Sequence, residues 1–161
     1  MKQNQIMQKE CPFCNLHVVK ASFAQTEGFY AIYNHAPVVP GHCMIIPFKH
    51  VTNLFELTDS EYITLFNFAR DVTSFIIGFY GTDEFDMSLQ QGFNAGQSID
   101  HLHLHIIPRK ANDLAEGEEW FDKLNENKTA LLDSGRFLSE KEFLTTSSIL
   151  RKAWNNRLDK K

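Results

Sequence analysis

Several features that define large classes of protein are missing from this sequence. No stretch approaches the ~18 apolar residues needed to span a bilayer, and residues 1–10 (MKQNQIMQKE) hold no apolar run of the signal-peptide kind. Basic residues do not predominate either, because 16 Lys and Arg stand against 20 Asp and Glu for a net charge of −4. The chain therefore lacks a sequence-wide positive field, and we expect neither a membrane partner nor bulk nucleic-acid binding.

Cysteine is too scarce for a disulfide framework. The three residues Cys11, Cys14 and Cys43 are an odd number in a chain without secretory features. We therefore expect reduced thiols, used for metal binding or simply buried, in a soluble cytoplasmic protein.

Repeats and low-complexity tracts are also absent, and 161 residues with 43% hydrophobic composition suffice for one folded domain. We predict a single domain over residues 1–161, with a core at about residues 11–110. Residues 111–161 are acidic and mixed, so we expect a peripheral tail with helical patterning near 115–124 and 140–154.

Short runs rich in β-branched and aromatic residues predict the strands. The runs are Leu16–Ala24 and Phe29–Tyr33, which form a hairpin, then 42–47, 85–91 and 101–108, of which the last two are antiparallel neighbours. Alternation places His42 and Met44 on one face of the third strand.

One long helix is predicted between these strands. Thr58 is a good N-cap with Glu61 three residues later, and glycines at 78 and 81 mark the end of the helix. Its apolar residues recur at spacings of three and four, at Tyr62, Leu65, Ala69, Val72, Ile76 and Phe79.

What the sequence does contain is a row of histidines, His101, His103 and His105, that alternates with aliphatic residues. On a strand the three imidazoles would share one face, roughly 6.5–7 Å apart, and could bind an anionic ligand such as a polyphosphate. Two other interpretations remain open from spacing alone: three surface histidines on an edge strand, or a zinc site of the His-x-His kind.

A second pattern suggests metal binding. Cys11 and Cys14 have the C-x₂-C spacing that lets two thiolates reach one metal, and His50 and His101 are candidates for the two missing ligands. The alternatives are a thioredoxin-like redox pair, which lacks its βαβ context here, and two inert thiols.

Three segments together resemble the histidine triad family of nucleotide-binding proteins. They are residues 37–42 (PVVPGH), 90–98 (QQGFNAGQS) and 101–109 (HLHLHIIPR), and the resemblance covers about residues 11–110. It implies an α+β fold in which a long helix packs on an antiparallel sheet of about five strands, and a homodimer. It also implies a structural zinc bound by Cys11, Cys14, His50 and His101, as in many bacterial members, and no organic cofactor.

The same resemblance implies roles for single residues. His103 would attack the α-phosphorus to form a nucleotidyl-histidine, while His105 and His42 would bind the phosphate and assist the leaving group. Gln90 would contact the bridging or attacking oxygen, and Gln97 and Ser98 the substrate. Asn34 would contact the ribose, although an Asn before residues 35–37 is equally typical of a turn.

The segments resemble most closely the fragile histidine triad branch, which implies a hydrolase that cleaves dinucleoside polyphosphates at the α-phosphate. Phosphoramidases of the family usually carry Asn at the position of Gln90 and Gly-Gly-Arg after the triad, and this sequence has neither feature. The pair Cys11 and Cys14 departs from the human-type members of the branch. An adenosine phosphoramidase or acyl-adenylate hydrolase, and a nucleotide-binding protein with slow turnover, are therefore the alternatives.

Overall fold

An antiparallel sheet of five strands is the centre of the computed structural model, which describes residues 11–129 and 137–158. The strand order is β1-β2-β3-β5-β4. The elements are α1 (Leu16–Lys20), β1 (Ala24–Thr26), β2 (Phe29–Tyr33), β3 (Cys43–Pro47), α2 (Asp59–Tyr80), β4 (Glu84–Leu89), β5 (Leu104–Arg109), α3 (Trp120–Thr129) and α4 (Glu140–Leu158). The expected α+β fold, with its five strands and one long helix, is confirmed. Within the described residues no helix combines the length and apolarity that crossing a membrane requires.

The predicted hairpin exists, but its first strand is much shorter than expected. Strand β1 has three residues, and the prediction of strand from Leu16 onward is wrong because 16–20 form helix α1. The Asn15 side chain caps this helix by accepting a hydrogen bond from the backbone N–H of His17 at 2.9 Å. Such a local bond favours a helical turn over a strand, whatever the β-propensity of the valines that follow.

Helix α2 begins and ends where the sequence predicts. Thr58 accepts from the backbone N–H of Glu61, whose carboxylate accepts from the backbone N–H of Thr58, and Gly81 ends the helix in the left-handed conformation. The periodic residues between 65 and 76 are buried against the sheet. Tyr62 and Phe79, at the two ends of the predicted apolar face, are 44% and 42% exposed.

The two faces of the sheet pack against different parts of the chain. One face joins helices α2 and α4 in the main core, through residues such as Ala31, Cys43 and Ile106. The other face packs against the N-terminal segment through Tyr30, Ile32, Met44 and Ile46. In the register of β3 with β5, Met44 lies opposite His105, so this second face also holds the histidine side chains.

The histidine segment is only partly a strand. Strand β5 begins at Leu104, so the prediction of strand from His101 is wrong for its first three residues. The backbone N–H of Leu102 donates to the carbonyl of Val51 at 2.7 Å instead of joining the ladder. His101 and His103 therefore lie in a connection that can turn their side chains in different directions.

The C-terminal region contains the two expected helices. Their bounds differ from the predicted ones, since α3 covers 120–129 and α4 covers 140–158. Helix α4 is not peripheral: Leu150 and Trp154 are buried in the main core, and Arg151 donates to the backbone carbonyl of Ser22 at 2.9 Å. The expectation of a peripheral tail is thus corrected for α4, because its apolar side chains complete the core beside α2.

Gly41, next to His42, is closely packed by its surroundings. Its φ is +97°, and a Cβ there would lie 2.5 Å from Pro108 Cγ and 2.9 Å from Tyr80 Cδ2. We expect Gly41→Ala to lower the free energy of unfolding by about 2–4 kcal/mol, through overpacking and backbone strain together.

Gly28→Ala is the matched control, because Gly28 also has a positive φ, +82°, but an added Cβ would meet nothing within 4 Å. Urea titrations of both variants measure the difference. Equal destabilisation by the two substitutions would contradict the close packing described for Gly41.

Candidate active site and metal centre

Two cysteines and two histidines form a cluster of metal-ligating groups. One ligand atom from each of Cys11, Cys14, His50 and His101 lies within 4.8 Å of the others. The Sγ of Cys11 is 3.3 Å from His101 Nδ1, and the Sγ of Cys14 is 3.4 Å from His50 Nδ1 and 3.6 Å from His101 Nδ1. Bond lengths of a tetrahedral zinc site give a sulfur–nitrogen separation of roughly 3.6 Å, so the four residues fit such an ion.

Backbone contacts hold these ligands in place. Cys11 directly precedes the 3₁₀ turn Pro12–Cys14 and Cys14 is its last residue, and the hydroxyl of Tyr30 donates to the carbonyl of Phe13 at 2.7 Å. His101 Nε2 lies 3.0 Å from the carbonyl oxygen of Pro47. Because a carbonyl only accepts, Nε2 carries the proton, and Nδ1 presents its lone pair to the two sulfurs.

The electrostatics of the cluster also favour a cation. Burial and the neighbouring Cys11 raise the pKa of Cys14 to about 12, and burial lowers the pKa of His101 to about 4. Two thiolates side by side therefore need a positive charge between them, which a divalent metal ion would supply.

His103 points away from the metal cluster and has its own fixed tautomer. Its Nδ1 lies 2.8 Å from the carbonyl of His101, so Nδ1 carries the proton and Nε2 is the unprotonated nitrogen. The ring is only 3% exposed and packs edge-on against Phe13 at 5.3 Å. Its centroid is 4.8 Å from that of His105, closer than the strand spacing predicts.

His42 and His105 form a hydrogen-bonded pair. His42 Nδ1 accepts from the backbone N–H of Val38 at 3.2 Å, so its proton is on Nε2, which lies 2.9 Å from His105 Nδ1. His105 consequently has its own proton on Nε2. Complete burial, reinforced by the neighbouring His103, lowers the pKa of His42 to about 3, so His42 is neutral near pH 7.

A cavity of about 280 Å³ opens beside these histidines. Most of its lining is apolar, with His103 and His105 among the few polar groups. The lining residues are Phe13, Asn34, His35, Ala36, Met44, Ser98, Ile99, His103, His105, Leu124 and Phe137. The size and the few convergent polar groups are typical of a small-molecule site.

The other sequence-predicted site residues divide into two that line this cavity and two that lie outside its lining. Ser98 and Asn34 line it, and the Asn34 side chain also accepts from the backbone N–H of Ala36 at 2.9 Å, as in a turn. The Gln97 amide instead ties two loops together, since it accepts from Gly92 and donates to the carbonyl of Thr52. Gln90 follows the end of β4 and is not part of the cavity lining.

Sequence reasoning missed several lining residues. Phe13 had a usable signal, because it lies between the two cysteines of the metal cluster. His35 also had one, because it directly follows the predicted site residue Asn34, whereas Leu124 and Phe137 had none, because only the tertiary fold brings the C-terminal region to this cavity. These residues are distant from the histidine motif in the chain.

The buried neutral His42 makes stability depend on pH. Its pKa of about 3 in the folded state lies below the unfolded value of about 6.5, so the unfolded chain takes up more protons between these values. The contribution of neutral His42 to the free energy of unfolding is complete above pH 6.5. It is lost as the pH falls toward 3, at up to about 1.4 kcal/mol per pH unit. We expect His42→Asn to reduce the slope of the free energy of unfolding against pH by up to about 1.4 kcal/mol per pH unit between pH 6.5 and 5.

Urea titrations at half-unit pH steps measure the two slopes. His17→Asn is the matched control, because it makes the same substitution at an exposed histidine. Parallel pH dependence in the wild type and His42→Asn would contradict the neutral state assigned to His42.

Comparison with known proteins agrees with this geometry. The HIT domain model matches residues 17–112. The chain is 34% identical over 122 residues to bis(5'-nucleosyl)-tetraphosphatase (asymmetrical) of Schizosaccharomyces pombe, covering 76% of this chain and 67% of that protein. It is 32% identical over 106 residues to bis(5'-adenosyl)-triphosphatase of Dictyostelium discoideum, covering 66% of this chain and 71% of that protein.

The fold comparison gives the same result. A hypothetical histidine triad nucleotide-binding protein from Sulfolobus tokodaii superposes with a TM-score of 0.69 and 27% identity, over 91% of this chain and 93% of that one. The domain match, the two relatives and the buried histidines lead to one conclusion. The chain belongs to the histidine triad (HIT) family, in its Fhit-like branch.

Proposed function

We propose that this protein is a hydrolase that cleaves a dinucleoside polyphosphate at its α-phosphate, with His103 as the nucleophile. The observation that carries the proposal is the hydrogen bond from His103 Nδ1–H to the carbonyl of His101. It leaves Nε2 unprotonated beside a cavity that has room for one nucleoside. The names of the two relatives support the choice of substrate class.

The reaction has two displacements. In the first, the lone pair of His103 Nε2 forms a bond to the α-phosphorus while the bond from phosphorus to the bridging oxygen breaks, releasing the second nucleotide. In the second, water attacks the same phosphorus and releases a proton to solvent, the nitrogen–phosphorus bond breaks with its electron pair returning to Nε2, and a nucleoside monophosphate leaves. Each step creates charge on phosphate oxygens, which nearby N–H donors stabilise.

The pair His42 and His105 supplies such a donor. Because His42 Nε2–H donates to His105 Nδ1, the remaining proton of His105 is on Nε2. We assign this N–H to the phosphate or to the bridging oxygen of the leaving nucleotide. His42 acts through His105 as a positioning residue, and Ser98 is the candidate for a further phosphate contact. Gln90 and Gln97 stay predictions from the family resemblance.

The metal cluster is assigned a structural zinc. Cys11, Cys14, His50 and His101 would bind the ion, which with four protein ligands would have no open position for activating water. Its contribution would be to fix the N-terminal turn, including Phe13, against His103.

Removal of the nucleophile tests the proposed chemistry. We expect His103→Ala to lower kcat for diadenosine tetraphosphate by on the order of 10⁴-fold, because no other group takes over the first displacement. Chromatography of the nucleotide products measures the rate.

His17→Ala is the matched control and should retain full activity, because His17 is exposed on α1. Folding of both variants is checked by thermal unfolding. A folded His103→Ala variant with near wild-type kcat would exclude His103 as the nucleophile. Faster turnover of an adenosine phosphoramidate than of dinucleotides would contradict the proposed substrate class.

Metal analysis tests the second assignment. We expect about one zinc per chain in the purified protein, lost in Cys14→Ser together with a lower Tm, because binding free energy of a structural metal contributes to folding. Cys43→Ala is the matched control, because Cys43 is a buried cysteine outside the cluster and the variant should keep its metal. Equal zinc content in Cys14→Ser and Cys43→Ala would contradict the ligand set.

Two further expectations stay predictions. The homodimer follows from the family resemblance, and sedimentation analysis measures it. The cytoplasmic location follows from sequence composition, and imaging of a tagged chain tests it.

A further inference from the structure

Part of the cavity wall comes from chain beyond the residues that match the HIT domain. The domain match ends at residue 112, whereas Leu124 in α3 and Phe137 just before α4 both line the cavity. Leu124 is 6% exposed, but Phe137 is 43% exposed. An aromatic ring that remains half-exposed at the edge of a binding cavity has a face available for a ligand.

His35 fixes this C-terminal segment to the loop between β2 and β3. Its carbonyl accepts from the backbone N–H of Leu138 at 2.9 Å. Its ring centroid is 5.8 Å from that of Phe137 and 5.3 Å from that of Phe143. The imidazole thus lies among aromatic rings and also lines the cavity, where its nitrogens can exchange hydrogen bonds with a planar polar ligand.

The cavity volume limits what such a ligand can be. About 280 Å³ lies just below the range of roughly 300–1,000 Å³ for small-molecule sites, which suits one nucleoside and not two. A purine has two apolar faces and a hydrogen-bonding edge, and this matches a wall of Leu124 and Phe137 with the imidazole of His35 beside it. Stacking of a base on an aromatic side chain contributes about 1–3 kcal/mol.

We propose that Leu124, Phe137 and His35 recognise the base of the nucleotide that is transferred to His103. The base stacks on Phe137 and packs against Leu124, and His35 hydrogen-bonds its edge and so sets the preference between adenine and guanine. The inference rests on the proposed function, because it takes the α-phosphate to lie at His103. It gives the C-terminal region a part in substrate selection that the matched domain alone does not contain.

Equilibrium binding of AMP, GMP and ribose 5-phosphate to the full chain tests the proposal by calorimetry. We expect the preferred purine nucleotide to bind at least about tenfold more tightly than ribose 5-phosphate, a difference of about 1.4 kcal/mol. Phe137→Ala should weaken nucleotide binding about 5–100-fold and leave ribose 5-phosphate unchanged. His35→Phe should keep the ring packing but change the ratio of AMP to GMP affinity.

Phe121→Ala is the matched control, because Phe121 is in α3 and is 44% exposed but does not line the cavity. It should bind all three ligands as the wild type does. If Phe137→Ala lowers the Tm, Phe137→Leu replaces it, since leucine keeps an apolar contact without an aromatic face and should still weaken nucleotide binding. Wild-type nucleotide affinity in both Phe137 variants, or equal binding of AMP, GMP and ribose 5-phosphate by the wild type, would overturn the proposal.

These measurements require no turnover, so they separate the two proposals. Base-dependent binding without hydrolysis of any dinucleotide would support base recognition and contradict the proposed reaction. Hydrolysis through His103 with base-independent binding would support the proposed reaction and contradict base recognition.

Discussion

The arrangement of both sites depends on two backbone carbonyls that fix the tautomers of neighbouring histidines. The carbonyl of Pro47 accepts a hydrogen bond from the Nε2–H of His101, so Nδ1 lies toward the cysteines. The carbonyl of His101 accepts a hydrogen bond from the Nδ1–H of His103, so Nε2 is the unprotonated nitrogen. One short segment therefore gives one imidazole to the metal cluster and the next to the cavity, each with the nitrogen that its chemistry requires.

This constraint explains why the N-terminal turn belongs to the active site. Phe13 lies between the two cysteines and packs against the rings of both His101 and His103. A metal ion at the cluster would hold this turn in place. The contact of Phe13 with His103 would then restrict the motion of the proposed nucleophile. The proposed zinc then contributes to the reaction only by positioning this turn. On the other side of His103, the hydrogen bond between His42 and His105 fixes which nitrogen of His105 carries its proton.

Local patterns in the sequence predicted the elements that depend on local physics. The bounds of α2 follow from Thr58, Glu61 and Gly81, and the metal cluster follows from the spacing of its cysteines together with the family resemblance. The predictions failed where a single hydrogen bond overrides the local β-propensity or joins distant parts of the chain. A cap from Asn15 makes residues 16–20 helical, and the bond from Leu102 to Val51 keeps the first triad histidine out of the sheet.

The cavity lining shows the same limit of sequence reasoning. No periodicity connects Leu124 or Phe137 with residues 101–105, because tertiary contacts bring the C-terminal region to the cavity. These contacts include the packing of α4 into the core and the hydrogen bond from the Leu138 N–H to the His35 carbonyl. The proposed reaction requires His103 to form a covalent bond to the substrate. Mass spectrometry after mixing with diadenosine tetraphosphate and quenching with denaturant at alkaline pH, where a nitrogen–phosphorus bond survives, detects this bond. We expect an added adenylyl group on the peptide that contains His103, absent in His103→Ala. Hydrolysis at wild-type rate with no such adduct at any quench time would contradict it.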